Sequence, residues 1–225
     1  MNYLILHKID DFCTEFETIT WDQFEALCKR VHYYNTQNRS KKIVMTFDDG
    51  YASDLRAEER ARAWQIDTIH FVVPHFVGLK GYMCHGDLRE LGQRGAQIGV
   101  HSFFHNDLRT LNDEELSSDI FSCVSWANDF IKSPGLCYSI PYGKDNKKIQ
   151  HNLSKNFTSV FTTGSLTYFH NVYRRVGMNR NNIETDIGKL IEVHTSKFWL
   201  AKYYAKELFI KIFGNTAYKF LRNMR

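Results

Sequence analysis

Thr46-Phe47-Asp48-Asp49-Gly50-Tyr51 follows a short apolar run, Ile43-Val44-Met45. A β-prone run that ends in two carboxylates reads as a strand delivering acids to the rim of a sheet or barrel, where α/β enzymes keep their chemistry. Successive side chains on a strand point to opposite sides, so adjacent aspartates at its end can address two atoms of one site. One can bind a metal while its neighbour handles a proton. Gly50 lets the backbone come close to a ligand. The second chemical cluster is Gly99-Val100-His101-Ser102-Phe103-Phe104-His105. The spacing of its two histidines brings both imidazoles to one side if the segment is helical or tightly turned. Neutral imidazole is the commonest protein metal ligand. One carboxylate and two imidazoles leave a divalent ion with open positions for water and substrate, the pattern of a catalytic rather than a structural site.

These clusters need elements that bring strand ends together. Leu4-Ile5-Leu6 reads as a first strand with His7 at its C-terminal end, which in a barrel faces the active site. Thr68 to Val73, closed by Pro74, reads as another strand, and Gly95 to Val100 as the one that delivers His101. Further β-prone runs are Cys137-Tyr138-Ser139-Ile140, Thr158 to Thr163, and Val172-Tyr173-Arg174-Arg175-Val176. Helical stretches fall between them. Thr20 with Gln23 forms a capping box; residues 52 to 65 and 85 to 91 are helix-like; a long amphipathic helix runs from about Leu111 to Ile131, with Asn112 and Glu115 as its cap. About seven strands alternating with helices is the rhythm of a βα barrel. His70, His75, His85 and Cys84 have no metal-specific spacing and read as strand or loop residues.

The T-F-D-D-G segment, the H-S-x-x-H segment and Pro141-Tyr142-Gly143 occur in the order of the first three motifs of the polysaccharide deacetylase family (NodB homology domain, carbohydrate esterase family 4). From about Leu4 to about Arg180 the chain resembles that family. The resemblance implies an α/β fold, a NodB-like distorted (β/α) barrel, and a metal-dependent hydrolase that removes an N-acetyl group from a sugar of a glycan or glycan precursor. It implies that Asp49, His101 and His105 hold a divalent ion, zinc being the one expected. Asp48 would take the proton of the attacking water, and the Tyr142 N–H would help to hold the oxyanion. Leu6-His7-Lys8-Ile9 resembles the Y-H-x-[IV] opening of deacetylases in which that histidine sits near the metal, so His7 is the candidate acid. His194, downstream, is the other. Two departures stand out: the family has an arginine, oriented on the base, where this chain has Ser139, and no D-x-x-D-W motif is present. Base orientation must then come from elsewhere. A catalytically silent relative that binds glycan as a scaffold is the alternative reading. A non-haem iron oxygenase uses the same ligand types, but with the carboxylate beside one histidine, whereas Asp49 lies far upstream.

The chain has 225 residues, 43% hydrophobic and 24% charged, with three prolines, as in an ordinary globular protein of one domain. No segment is long and apolar enough to cross a bilayer, and the N-terminus lacks the basic region and cleavage site of a signal peptide. Five cysteines without C-x-x-C spacing suggest reduced thiols. A cytoplasmic location is expected. The composition shifts after residue 196: Lys197, Lys202, Lys206, Lys211, Lys219, Arg222 and Arg225 face Glu207 alone, with eight aromatics interleaved. The expected layout is a barrel over 1–196 and a helical tail over 197–225 that is not an independent domain. Two readings of the tail stand, a helix lying on the inner, anionic face of the membrane or a terminal helix packed on the barrel or a partner subunit. A modest net charge of +4 and the lack of a recognition motif argue against nucleic acid.

Overall fold

Apolar strand segments, buried along their length, organise the first part of the chain. The computed structural model describes residues 1–131, 135–164 and 166–195. The strands are β1 (Asn2–Leu6), β2 (Ile43–Phe47), β3 (Thr68–Val72), β4 (Gln97–Val100), β5 (Cys137–Ser139), β6 (Ser159–Thr162), β7 (Val172–Arg174) and β8 (Val176–Gly177). They form one parallel sheet in the order β7-β6-β5-β4-β3-β2-β1-β8, curled into a nearly closed barrel. Every residue of β2 and β3 is buried, as a parallel sheet covered on both faces requires. Helices α1 (Trp21–Gln37), α2 (Asp54–Ala63), α3 (His85–Gln93), α4 (Asp113–Phe130) and α5 (Lys147–Asn156) cover the outer face, and the strands cover one another within. The capping boxes of α1 (Thr20 with Gln23) and α4 (Asn112 with Glu115) form as their sequences predict. The expected barrel is therefore present.

One expectation needs correction. The single run Val172–Val176 is two strands, making eight, because β7 pairs with β6 at one edge of the sheet while β8 pairs with β1 at the other. Arg175 is the one residue that makes the step between the edges. The helix α5 had no counterpart among the predicted stretches.

Side chains alternate along each strand. Val72, Tyr138 and Val160 face the helices and pack with Leu91, Leu116, Ile120, Cys123, Ile149 and Leu153. Val44, Ile69, Phe71, Cys137 and Phe161 form a second cluster, inside the barrel. Each fully buried large apolar side chain contributes roughly 1.5–3 kcal/mol. Register then sets the site. Leu6 pairs with Phe47, so His7 and Asp48 leave neighbouring strand ends; Val72 pairs with Val100 and Val100 with Tyr138, so His101 emerges beside Ser139.

The chain divides into two units, Met1–Ile187 and Gly188–Arg225. Of the second, residues 188–195 are described and are helical, within α6 (Ile187–Thr195). The predicted tail, 197–225, lies outside the described residues.

Candidate active site

The turn after β2 carries both aspartates into the barrel mouth. Asp49 adopts φ 76° and Gly50 φ 81°. A left-handed conformation is uncommon for a residue with a Cβ and clusters at functional sites. Gly50 answers a backbone need here, and its carbonyl accepts from Met83 N–H at 2.9 Å. The turn aims Asp49 Oδ1 at His105 Nε2, 3.2 Å away, and at His101 Nε2, 3.5 Å away. This oxygen is buried and has no hydrogen-bond partner. Asp49, His101 and His105 each offer one ligand atom, all within 4.8 Å of one another, and they are the one such group among the described residues.

His101 follows β4 directly and is 2% exposed. Its Nδ1 lies 2.8 Å from the Ser139 carbonyl oxygen. A carbonyl can only accept, so Nδ1 carries the proton and Nε2 turns its lone pair to Asp49 and His105. Burial pushes the His101 pKa down, outweighing the pull of Asp48 and Asp49, and keeps that lone pair available. The segment from His101 to His105 is a tight turn and not a helix, with Ser102 at φ 58° and His105 at φ 59°. Of the two geometries that bring the imidazoles together, the structure uses the second. A carboxylate oxygen, the lone pair of His101 Nε2 and the Nε2 of His105 thus converge on one point. That donor set fits a divalent ion.

Asp48 is 3% exposed. Arg175 grips it with both ends of its fork, Nη1 to Oδ1 at 2.7 Å and Nη2 to Oδ2 at 2.7 Å. Ser139 Oγ donates to Asp48 Oδ2 at 3.1 Å, and His101 Nε2 lies 3.6 Å from the same oxygen. Burial alone would raise the Asp48 pKa, but the Arg175 guanidinium holds it well below the usual carboxylate range. Arg175 also donates to Thr46 Oγ1 at 2.9 Å and to Ser139 Oγ, and its Cζ lies 5.0 Å from the Phe71 ring centre. The arginine missing at position 139 is thus supplied from between β7 and β8, and Ser139 leaves it room. Sequence reasoning had marked Arg175 as a strand residue only. The available signal was a pair of arginines inside an apolar β-prone run, one of which must face inward.

His7 stands at the end of β1, its Nδ1 buried and unpartnered and its Nε2 3.9 Å from Glu17 Oε2. With Glu15, Glu17, Asp49 and Tyr51 it lines a cavity of about 290 Å³ that reaches the aspartate turn. Tyr142 adopts φ 59°, is 57% exposed, and sets its ring edge-on to His105 at 4.7 Å. A Cβ on Gly143 would stand 1.5 Å from Thr163 Oγ1, and its φ is +60°, so this turn demands glycine. The six candidates Asp48, Asp49, His7, His101, His105 and Tyr142 come from four strand ends of the same barrel mouth. His194 falls within α6, and its side chain is outside the described residues. His70 sits apart, fully buried between Asp54 and Glu58. A larger cavity, about 610 Å³, opens at the other end of the strands, lined by Tyr3, Val44, Arg62, Thr68 and Gln97; it holds none of these candidates.

The family model for polysaccharide deacetylases matches residues 35–159. The Bacillus subtilis protein YxkH, whose description assigns it provisionally to the polysaccharide deacetylases, is 22% identical over 109 residues, 48% of this chain and 39% of its own length. The chain thus spans about two fifths of that relative. Among solved structures, the polysaccharide deacetylase BC0361 of Bacillus cereus superposes with a TM-score of 0.73 at 17% identity, over 84% of this chain and 68% of its own. The Streptococcus pyogenes deacetylase PplD, solved with acetate, superposes at 0.72 and 14% identity, over 85% and 98%. At such identities the structural likeness establishes the barrel. The family model goes further, since it matches more than half of the chain and takes in both aspartates, both histidines and the Pro-Tyr-Gly turn: the chain belongs to the polysaccharide deacetylase family.

Proposed function

We propose that this protein is a metal-dependent hydrolase that removes the acetyl group from an N-acetylated sugar of a glycan or glycan precursor. The observation that carries the proposal is the convergence of Asp49, His101 and His105 around an unpartnered buried oxygen, beside a second carboxylate held ionised by Arg175. These three side chains would hold the ion. A bound zinc or similar cation supplies Lewis acidity, polarising an acyl oxygen and lowering the pKa of a water towards about 7. Asp48 accepts the proton of the attacking water. A carboxylate of low pKa is a weak base, so the transfer stays uphill and a donor of lowered pKa only reduces its cost. The water oxygen forms its bond to the acyl carbon while the Tyr142 N–H steadies the oxyanion, a contact worth about 3 kcal/mol in other enzymes. The carbon–nitrogen bond then breaks as His7 gives a proton to the departing amine, leaving acetate and a free amino sugar. The exposed rings of Tyr142 and Phe104 offer flat apolar faces for a sugar.

Assembly of a surface polysaccharide at the inner face of the membrane, on a lipid- or nucleotide-linked intermediate, is part of the same proposal. It is supported by the free thiols of all five cysteines and by the basic, aromatic composition of residues 197–225. The silent-scaffold alternative rests on Ser139 and on the missing late motifs; Arg175, bonded to Asp48, answers the first of these. The deciding experiment is acetate release from N-acetylglucosamine oligomers by the metal-loaded protein. Activity is expected to disappear on chelation, to return with zinc, and to fall at least 10³-fold in Asp48→Asn. Acetate release that survives in Asp48→Asn would refute the mechanism; its absence in the loaded wild type, with oligomers still bound, would favour the scaffold.

A further inference from the structure

We infer that Asp119, on the buried face of α4, is the positioning residue for the histidine turn and so sets the affinity of the site for its cation. The inference rests on the metal reading above. His101 and His105 meet Asp49 only because the turn between them takes two left-handed residues, Ser102 at φ 58° and His105 at φ 59°. Such backbone persists only where its surroundings over-determine it. Asp119 does so from behind. Its Oδ2 accepts from Ser102 Oγ at 2.8 Å and from the Phe103 N–H at 3.0 Å. Ser102 Oγ in turn accepts from the Asn106 N–H at 3.2 Å. One carboxylate oxygen thereby ties the entrance of the turn to its exit, on both sides of His105. The other oxygen, Oδ1, accepts from Tyr138 Oη at 3.2 Å and from Cys123 Sγ at 3.8 Å. Tyr138 precedes Ser139, whose carbonyl fixes the ring of His101. Both supports of the two imidazoles thus converge on one side chain.

Asp119 is 6% exposed, and among the described residues no lysine, arginine or histidine pairs with it. A buried carboxylate without a countercharge is costly and is kept only when hydrogen bonds satisfy it. Here all of those donors belong to the turn, to β5 or to its own helix. The carboxyl group therefore has its use in the turn and in β5. Partners behind metal-ligating histidines typically change metal affinity 10–100-fold when removed.

The test uses the full chain and zinc alone as probe. Zinc dissociation constants are measured by competition with a chromophoric chelator, the visible spectrum of the cobalt form is recorded, and the melting midpoint of the metal-free protein is followed for wild type, Asp119→Asn, Ser102→Ala and Leu153→Ala. The expected result is a 10–100-fold loss of zinc affinity and an altered cobalt spectrum in Asp119→Asn, with a smaller loss in Ser102→Ala. Leu153→Ala, a cavity in the core against α5, should lower the melting midpoint and leave affinity and spectrum unchanged. Wild-type affinity and spectrum in Asp119→Asn, or affinity that merely follows melting midpoint across all four proteins, overturns the inference. Should Asp119→Asn fail to fold, Ser102→Ala decides by the same criteria. A wild type that binds no zinc, or binds it equally well as His105→Ala, overturns the metal reading itself.

Discussion

Asp48 is tenable as a buried carboxylate because Arg175 meets it with both arms of its guanidinium. The pairing has a sign that can be checked. A carboxylate whose folded pKa lies below its ordinary 3.8 adds stability above that value and loses it as pH falls through the folded pKa. Arg175→Met removes the partner and leaves the charge buried. We expect it to cost roughly 3–5 kcal/mol at neutral pH by urea denaturation of the metal-free protein. The acid limb of the kcat/KM profile should move to higher pH, because Asp48 then protonates more readily, and kcat should fall about 10²-fold. Arg175→Lys should recover little, since a point charge cannot replace a bidentate fork. An unchanged acid limb in Arg175→Met would separate Asp48 from the proton transfer.

The turns that follow the strands do the rest of the positioning. Asp49-Gly50, His101 to His105 and Tyr142-Gly143 all contain left-handed backbone, and each comes at or just after the C-terminal end of a strand. The strands themselves are regular. Four of the five non-glycine left-handed residues among the described ones thus lie at the barrel mouth, the fifth being Gln65 ahead of β3, an arrangement expected where rigid elements present a functional loop. The third turn is the easiest to probe. Gly143→Ala places a methyl group where Thr163 Oγ1 already stands, at a φ of +60°. It should destabilise the protein by about 2 kcal/mol or more and displace Tyr142 from His105. Thr163→Ala in the same chain should restore part of the melting midpoint, because it removes the clashing oxygen. Equal midpoints for wild type and Gly143→Ala would show that the turn yields freely.

Across the whole molecule, a second buried ionic cluster lies between α2 and the sheet. His70, stacked on Phe47 at 4.7 Å, has Glu58 3.3 Å from Nε2 and Asp54 3.6 Å from Nδ1. Burial opposes ionisation of all three, but hydrogen bonds from His70 and Thr68 keep Glu58 below its ordinary value, and the acids raise His70. Glu58 and His70 therefore form the ion pair. Asp54, with neither oxygen hydrogen-bonded, is pushed by burial up to about 6. A raised pKa means that its contribution is full below 3.8 and is lost as pH climbs through about 6. Asp54→Asn keeps the neutral shape at every pH. We expect it to gain about 1.4 kcal/mol relative to wild type between pH 5 and pH 8, and about 3 kcal/mol between pH 3 and pH 8, read from urea midpoints. A constant difference over that range would show that Asp54 does not carry the proton.

What the sequence determined by itself was local. The order of strands and helices as far as β5, the two capping boxes, the aspartate turn, the histidine pair and the Pro-Tyr-Gly turn are all readable, because each depends on periodicity and spacing within a few residues. The tertiary structure decided what those groups touch. That Arg175 orients Asp48 across 127 residues, that the Ser139 carbonyl selects the tautomer of His101, and that the last β-prone run divides between opposite edges of the sheet leave no local trace. Such pairings are settled by sheet register and by the need of a buried charge for a partner, and both exist only once the strands have closed around the site.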